Sequence, residues 1–260
     1  MQLGENNWTQ ISEQTGKVVV VPLGALEQHG HHLPLLTDSM IGAEIVRRAE
    51  LEMGEEALFL PMLWIGASDH HLSFPGTVSL GAEVYVDVIT DLVESLIRAG
   101  FRRIFLLNSH AGNVTPATLA LYNLQLKHRE SKPELWLTFS SWFEIASEAI
   151  SRLGEFTQPS VIHACEWETS MIERVHPNLV QGEFPPATRI EFPSAFYCPD
   201  VSRSSAVSVM RTIEQVSKTG AYGYPELATP EKGELLFSTA TQEVVTFLRE
   251  FALWPPLQPV

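Results

Sequence analysis

Four consecutive β-branched residues, Val18 to Val21, followed directly by a run of acids and imidazoles, constrain this chain more than any other stretch. A strand apolar at every position must be covered on both faces, which places it inside a parallel sheet. Parallel neighbours need crossover connections, usually helices, and the rest of the chain supplies that alternation. Strands are predicted over Lys17 to Pro22, Ala57 to Met62, Arg103 to Leu107 and Leu135 to Phe139. A helix is predicted to open near Thr37, Asp38 and Ser39, all capping candidates. Another spans Gly81 to Ala99, with Val88, Ile89, Leu92, Val93, Leu96 and Ile97 at helical spacing and Gly100 as its stop. Further helices are read over Thr115 to Lys127, Trp142 to Leu153, Glu166 to Arg174 and Glu231 to Leu253, the last opened by Pro230. No linker interrupts the pattern. The expectation is a single-domain α/β fold over residues 1–260, a mostly parallel β-sheet flanked by helices on both faces. The proline- and aromatic-rich stretch 185–199 has no period, and is expected to be irregular and to pack on the body or on a neighbouring subunit.

Charge narrows the function classes. With 17 Lys and Arg against 31 Asp and Glu, the formal net charge is -14. That balance repels phosphate backbones and acidic lipid, so neither nucleic acid nor a membrane surface is an expected partner. The amino-terminal residues lack a signal-peptide pattern, and no apolar run approaches the ~20 residues needed to span a bilayer. The two cysteines, Cys165 and Cys198, build no disulfide framework, and a cytoplasmic location is expected. Cys165 reads as a small packing residue rather than a nucleophile.

In open α/β sheets ligands bind outside the carboxyl ends of the strands. Four polar clusters follow apolar segments: Glu27/His29/Asp38, His70/His71, Asn108 to Asn113 around His110, and His163 to Ser170 with Glu166 and Glu168. Glu27 and His29 are two apart, so an extended backbone directs both to one face. Divalent cations of hard or borderline character favour such a mixture of imidazole and carboxylate, and two neighbouring cations need a bridging carboxylate. Asp38, a short acid between the other ligands, is the candidate bridge. Asn113 is expected to tie down its own loop, and Glu166 to orient or cap rather than ligate. His31, His32, His70 and His71 are read as pocket-lining groups or supports for the ligands.

These segments together resemble the creatininase family. The matching pieces are Gly24 to Gly30 with His32-Leu33-Pro34 and Asp38, then His71 with Phe74-Pro75-Gly76-Thr77. Asn108, His110, Gly112 and Asn113 follow, then His163-Ala164, Glu166 and Glu168-Thr169-Ser170, and finally Ala228-Thr229 with Glu231-Lys232-Gly233. The resemblance runs through almost the whole chain in the family's order. It implies two divalent metal ions, Zn2+ and/or Mn2+ with Fe2+ as an alternative, and hydrolysis of the C–N bond of a small polar amide, cyclic or formylated. It also implies a homo-oligomer, commonly a hexamer. Carried over residue by residue, Glu27, His29, Asp38, His110 and Glu168 match the metal ligands, and His163 matches the proton-transfer histidine. The nucleophile is then a water activated between the cations. Deformylation, peptide trimming and a catalytically silent metal-binding scaffold are the competing readings.

The chain also departs from the family's type pattern. A glutamate ligand is replaced by Gly112, a neighbouring tyrosine by Ala111, and a pocket tryptophan by Pro159. Trp142 aligns with a second pocket tryptophan. His71, Ala111 and Trp142 are therefore the candidate substrate-binding positions, in a pocket reshaped enough that creatinine is not the expected substrate.

Overall fold

The structure, a computed structural model, describes residues 1–158, 161–184, 187–188, 194–197 and 205–257. Pro159, Cys198 and most of 185–199 lie outside the described residues. Four parallel strands, β1 (Val18–Leu23), β2 (Ala57–Phe59), β3 (Arg103–Asn108) and β4 (Trp136–Ser141), form one sheet in the order β2-β1-β3-β4. A short helix α1 (Trp8–Ser12) precedes the sheet, and α2 (Thr37–Met53), α3 (Ala82–Ala99) and α4 (Val114–His128) make the crossovers. They are followed by α5 (Trp142–Ile145), α6 (Ser147–Ser151), α7 (Glu166–Val175) and α8 (Pro230–Ala252).

The valine run behaves as its composition requires. Val18 and Val20 pack on one face against Ile41 and Ile45 of α2 and Leu236, Phe237 and Val244 of α8. Val19 and Val21 pack on the other against Ile89, Val93 and Ile97 of α3 and Ala117 and Leu124 of α4. Each such side chain, once buried, contributes on the order of 1.5–3 kcal/mol. The carboxyl-terminal helix α8 thus closes one face beside α2 and α7.

Strand order also positions the site. From β1 the chain moves outward to β2, then returns past β1 to lay β3 on its other side, so the direction of winding reverses between β1 and β3. Connections leaving adjacent carboxyl ends at such a reversal splay apart and leave a crevice. The segment after β1 carries Glu27 to Asp38, and that after β3 carries Asn108 to Asn113.

Several local expectations change. β2 ends at Phe59, and beyond it contact with the sheet continues through Leu60 N, which donates to Val20 O at 2.9 Å, and an isolated bridge between Leu23 and Leu63. The helix expected over Trp142 to Leu153 is two short ones, broken at Ala146 with φ -96° and ψ -1°. No side chain caps the start of α2. Its polar residues are used elsewhere: the Thr37 hydroxyl donates to Pro34 O at 2.7 Å and the Ser39 hydroxyl to Ala25 O at 2.9 Å. Asp38 turns inward to the histidines. No described helix is long and apolar enough to cross a membrane.

On α3, Glu94 accepts from His128 Nε2 at 2.7 Å and from Lys127 Nζ at 3.2 Å, tying α3 to α4. The His128 hydrogen bond, reinforced by Lys127, holds the Glu94 carboxyl down to about 2. A carboxyl with a depressed folded pKa stabilises the protein above its unfolded pKa, and that contribution fades as pH falls toward 2. Glu94→Gln should therefore cost about 1–2 kcal/mol at neutral pH, roughly 2–6 °C in Tm. In thermal melts the gap to the unmodified protein should narrow from about pH 4.5 downward.

Candidate metal centre

The loop after β1 delivers three of the proposed ligands because it is pinned at both ends. Gly24 leaves the strand where a Cβ would lie 2.9 Å from Ser39 Cα, so α2 packs directly on the exit of β1. Asn113 fastens the other side: its Nδ2 donates to Gly24 O at 3.0 Å and Asn108 Oδ1 at 3.1 Å, and its Oδ1 accepts from Ala67 N at 2.9 Å. The asparagine expected to tie down its own loop thus holds three segments together. The fourth segment enters through Ala164, the one described non-glycine residue with positive φ, at 47°. That left-handed residue, costing roughly 1–2 kcal/mol, separates His163, bridged to Tyr222, from α7, where Glu168 sits.

At the centre Asp38 is shared. Its Oδ1 lies 3.3 Å from His29 Nε2 and its Oδ2 lies 3.1 Å from His110 Nδ1. Glu168 Oε1 lies 3.9 Å from His29 Nε2, and Glu27 Oε2 lies 3.3 Å from His110 Nε2. Donor atoms of Glu27, Asp38 and His110 come within 4.8 Å of one another, as do those of His29, His163 and Glu168. All of these residues are buried.

Hydrogen bonding tests whether this cluster suits cations. His29 Nδ1 lies 3.2 Å from Glu27 O, so its N–H can donate there and leave Nε2 as a bare lone pair toward Asp38 and Glu168. His110 Nε2 lies 3.2 Å from Ala67 O, which likewise frees Nδ1 toward Asp38. An imidazole whose second nitrogen donates to a backbone carbonyl is the usual arrangement of a metal-binding histidine. Glu27 Oε2, His29 Nε2 and Asp38 Oδ2 are sealed from solvent without hydrogen-bond partners. Orphaned atoms of this kind are costly unless something charged sits among them. The donor set fits two divalent cations with Asp38 between them.

Electrostatics agrees. Burial opposes charge on His29, yet Asp38, with Glu168 and Glu27, lifts it to about 9. Burial likewise works against His110, but Glu27 and Asp38 hold it well above the usual histidine range. Asp38 is kept well below the carboxylate range by His29 and His110 against the cost of burial. Burial raises Glu168 to about 7. The cluster without cations therefore recruits protons as its counter-charge.

Gln28 organises the neighbouring imidazoles, and sequence reasoning missed it. Its Oε1 accepts from Gly30 N at 3.0 Å, which fixes the amide, and its Nε2 lies 2.8 Å from His71 Nδ1 and 3.3 Å from Gly220 O. With Nδ1 accepting, neutral His71 presents Nε2–H to Glu27 Oε1 at 3.3 Å. His71 thus borders the cavity but serves to orient Glu27. His163 Nε2 lies 2.9 Å from Gln28 O and 3.0 Å from Gln28 Nε2; with its N–H on Nε2 toward that carbonyl, Nδ1 is left as an acceptor 3.8 Å from Glu27 Oε1. Burial and then His29 push His163 well below the usual range, so it is neutral.

The remaining positions separate. Ala111 is exposed on the wall of a cavity of about 450 Å³ that also contains Glu27, Asp38, His110, His163 and Glu168. Trp142 is not on that wall: it is 2% exposed, with its ring against Phe143 and Trp167, and Phe143 faces the cavity instead. Glu166 accepts from Gln158 N at 2.9 Å and pairs with Lys232, an orienting role as expected. His31 is exposed, while His32 is buried and lies 2.9 Å from Thr169 Oγ1. Cys165 is buried and burial pushes its thiol up to about 12, which makes it inert. At Gly112 a Cβ would collide with the Ala67 carbonyl oxygen and His110 Nε2 and lie 2.8 Å from His70 Cε1. The absent carboxylate is therefore matched by an absence of space, and its place is taken by the packing of His110 and His70.

The parallel sheet and the buried histidine–carboxylate cluster at its switch point are those of a hydrolase family whose members act on carbon–nitrogen bonds with divalent metal. The chain belongs to the creatininase (creatinine amidohydrolase) family, whose pattern matches residues 4–248. It is 28% identical over 268 residues to the creatinine amidohydrolase of Pseudomonas putida, covering 95% of this chain and 96% of that one. It is also 28% identical over 264 residues to the mycofactocin precursor peptide peptidase of Mycobacterium tuberculosis, covering 98% and 92%. The crystal structure of a creatininase shares the fold with a TM-score of 0.78 at 24% identity, covering 96% of this chain and 97% of that one.

Two outcomes follow. Metal uptake should displace protons from His29, His110 and Glu168. Titration calorimetry in buffers of different ionisation enthalpy should show this release and an affinity that rises from pH 7 to 9; no release would remove the histidines from the ligand set. Gly112→Ala should displace His110, costing about 1–3 kcal/mol and lowering the metal bound per chain in elemental analysis.

Proposed function

We propose that this protein is a dinuclear metal-dependent amidohydrolase that cleaves the C–N bond of a small polar amide other than creatinine. The observation that supports it most directly is Asp38, buried with one oxygen toward His29 and the other toward His110. In this reading Glu27, His29, Asp38, His110 and Glu168 would hold the two cations. Zinc and manganese both suit the mixed donor set, and creatininase structures of this fold are described in manganese and zinc–zinc forms. When bound, such a pair would polarise the amide carbonyl and bring the pKa of a water down toward neutrality.

The chain's own groups supply the proton transfers. Neutral His163, fixed by Gln28 O with its Nδ1 lone pair turned toward the centre, takes a proton from the attacking water. The imidazolium so formed is stabilised by Glu27 at 3.8 Å. It then delivers that proton to the amide nitrogen, which is a poor leaving group until protonated. Gln28 and His71 keep Glu27 and His163 in register throughout. A second substrate class, the end of a short peptide, is favoured by the similarity to the mycofactocin precursor peptide peptidase over 98% of this chain. The same reading takes the protein as a cytoplasmic homo-oligomer, a hexamer by the family resemblance.

Purified protein should carry close to two divalent ions per chain, and a panel of cyclic ureas, formamides and short peptides should contain a substrate. His163→Ala should lower turnover by about 10²–10⁴-fold with metal content unchanged in elemental analysis. Loss of metal in that variant would make His163 a ligand instead.

A further inference from the structure

The cavity that contains the metal cluster has a second charged group on its wall. Arg211 lines it together with Tyr197, Tyr222 and the apolar Val207, Val209 and Met210. Its guanidinium carbon lies 5.2 Å from the Tyr222 ring centroid and 5.9 Å from that of Tyr197. Its Nη1 is sealed from solvent and has no hydrogen-bond partner.

Arg103 Nε is likewise sealed and unpartnered, but every described arginine other than Arg211 makes at least one hydrogen bond or ion pair through its guanidinium. Arg47, Arg48, Arg98, Arg102, Arg129, Arg152, Arg174 and Arg249 each pair with a carboxylate, and Arg103 donates to Trp254 O. Arg211 has no carboxylate within ion-pair distance among the described residues, in a sequence with 31 acids to draw on. Arg211 is half-buried on the cavity wall, and a guanidinium that has no hydrogen bond or ion pair to a described residue is available there to an acceptor from outside the protein. Two aromatic faces hold the guanidinium while leaving donor atoms open. Its planar fork matches a carboxylate bidentately.

We propose that Arg211 receives a carboxylate of the substrate. On the amidohydrolase reading above, from which this follows, the substrate is an amide with a free carboxylate set apart from the bond that is cut. That class comprises N-formyl and N-acyl amino acids and the carboxyl-terminal ends of short peptides. The carboxylate anchors at Arg211, the apolar wall covers the side chain, and the scissile carbonyl faces the acids and imidazoles at the other charged part of the cavity.

The test uses N-methanesulfonyl-alanine and N-methanesulfonyl-phenylalanine, which present no carbonyl at the reacting position, against their neutral carboxamides. Affinities are measured by titration calorimetry on the metal-loaded protein. The acids should bind at least about 10-fold more tightly than the carboxamides. Arg211→Gln should remove about 10- to 100-fold of the acids' affinity while leaving the carboxamides and the metal content unchanged. Arg211→Lys, which keeps the charge but loses the fork, should fall between. Equal affinities in the unmodified protein would overturn the proposal. So would an acid affinity untouched by Arg211→Gln, which would put the carboxylate on the cations, or an equal loss for acids and carboxamides, which would make Arg211 structural. Turnover of the matching N-formyl amino acids is followed separately. A carboxylate preference that depends on Arg211 without hydrolysis of any amide would keep the anchor and reject the amidohydrolase.

Discussion

Three carboxylates, Glu27, Asp38 and Glu168, are buried in one cluster, and much of this structure is arranged around compensating them. Isolated buried carboxylates would not stay ionised, because desolvation would drive their pKa values up until they neutralised. Glu168, lifted to about 7, shows that pressure directly. Asp38 escapes it because two imidazoles face its two oxygens, and those imidazoles are lifted in turn. The cluster has one set of places and two ways to fill them, with protons or with cations. Divalent cations would take the place of those protons among the same donor atoms.

The same accounting explains why the groups around the cluster are so heavily constrained. A cation site is useful only if the lone pairs stay aimed, and free imidazoles would reorient to bond with the carboxylates. Glu27 O and Ala67 O prevent this for His29 and His110, and Gln28 prevents it for His71 and His163. Asn113 then fixes the backbone that supplies two of those carbonyls' surroundings, at Gly24 and Ala67. The left-handed Ala164 is tolerated in this setting because it lets adjacent residues reach the cluster from a bridge and from a helix.

How much of this was legible in the sequence divides along physical lines. The sheet was readable because burial on both faces leaves a mark that solvent-facing strands do not, and Val18 to Val21 carry it. The acids and imidazoles of the cluster were readable because few residue types bind cations and they follow apolar runs. Gln28 was not, since fixing tautomers requires only a donor and an acceptor in the right place, which any polar residue could provide. Polar residues at the start of α2 were readable as caps, but tertiary partners at Pro34, Ala25 and the histidines outcompeted the helix end for them. Trp142 was misplaced because alignment gives a position along the chain and not the direction of a ring. The break at Ala146 turns on a local ψ that apolar spacing does not record. Arg211 carries no local pattern, and its unusual state exists only relative to the partners every other described arginine has found.

The site therefore has two parts with different freedom to vary. The cluster is built from strand ends and the start of α7, where a displaced backbone would strip several buried groups of their partners at once. Gly112 illustrates that rigidity: even one added carbon meets the Ala67 carbonyl and the His110 ring. Much of the rest of the cavity wall, including Tyr197, Ser205, Val207, Arg211 and Tyr222, lies after α7. Side chains there can be exchanged without disturbing the charge balance of the cluster. A family resting on the first part can keep its metal chemistry while redirecting it through the second. That separation is the physical reason a chain can be equally similar to a creatinine amidohydrolase and to a peptide peptidase, both at 28% identity, and it makes the far wall the place where this chain's own specificity is written.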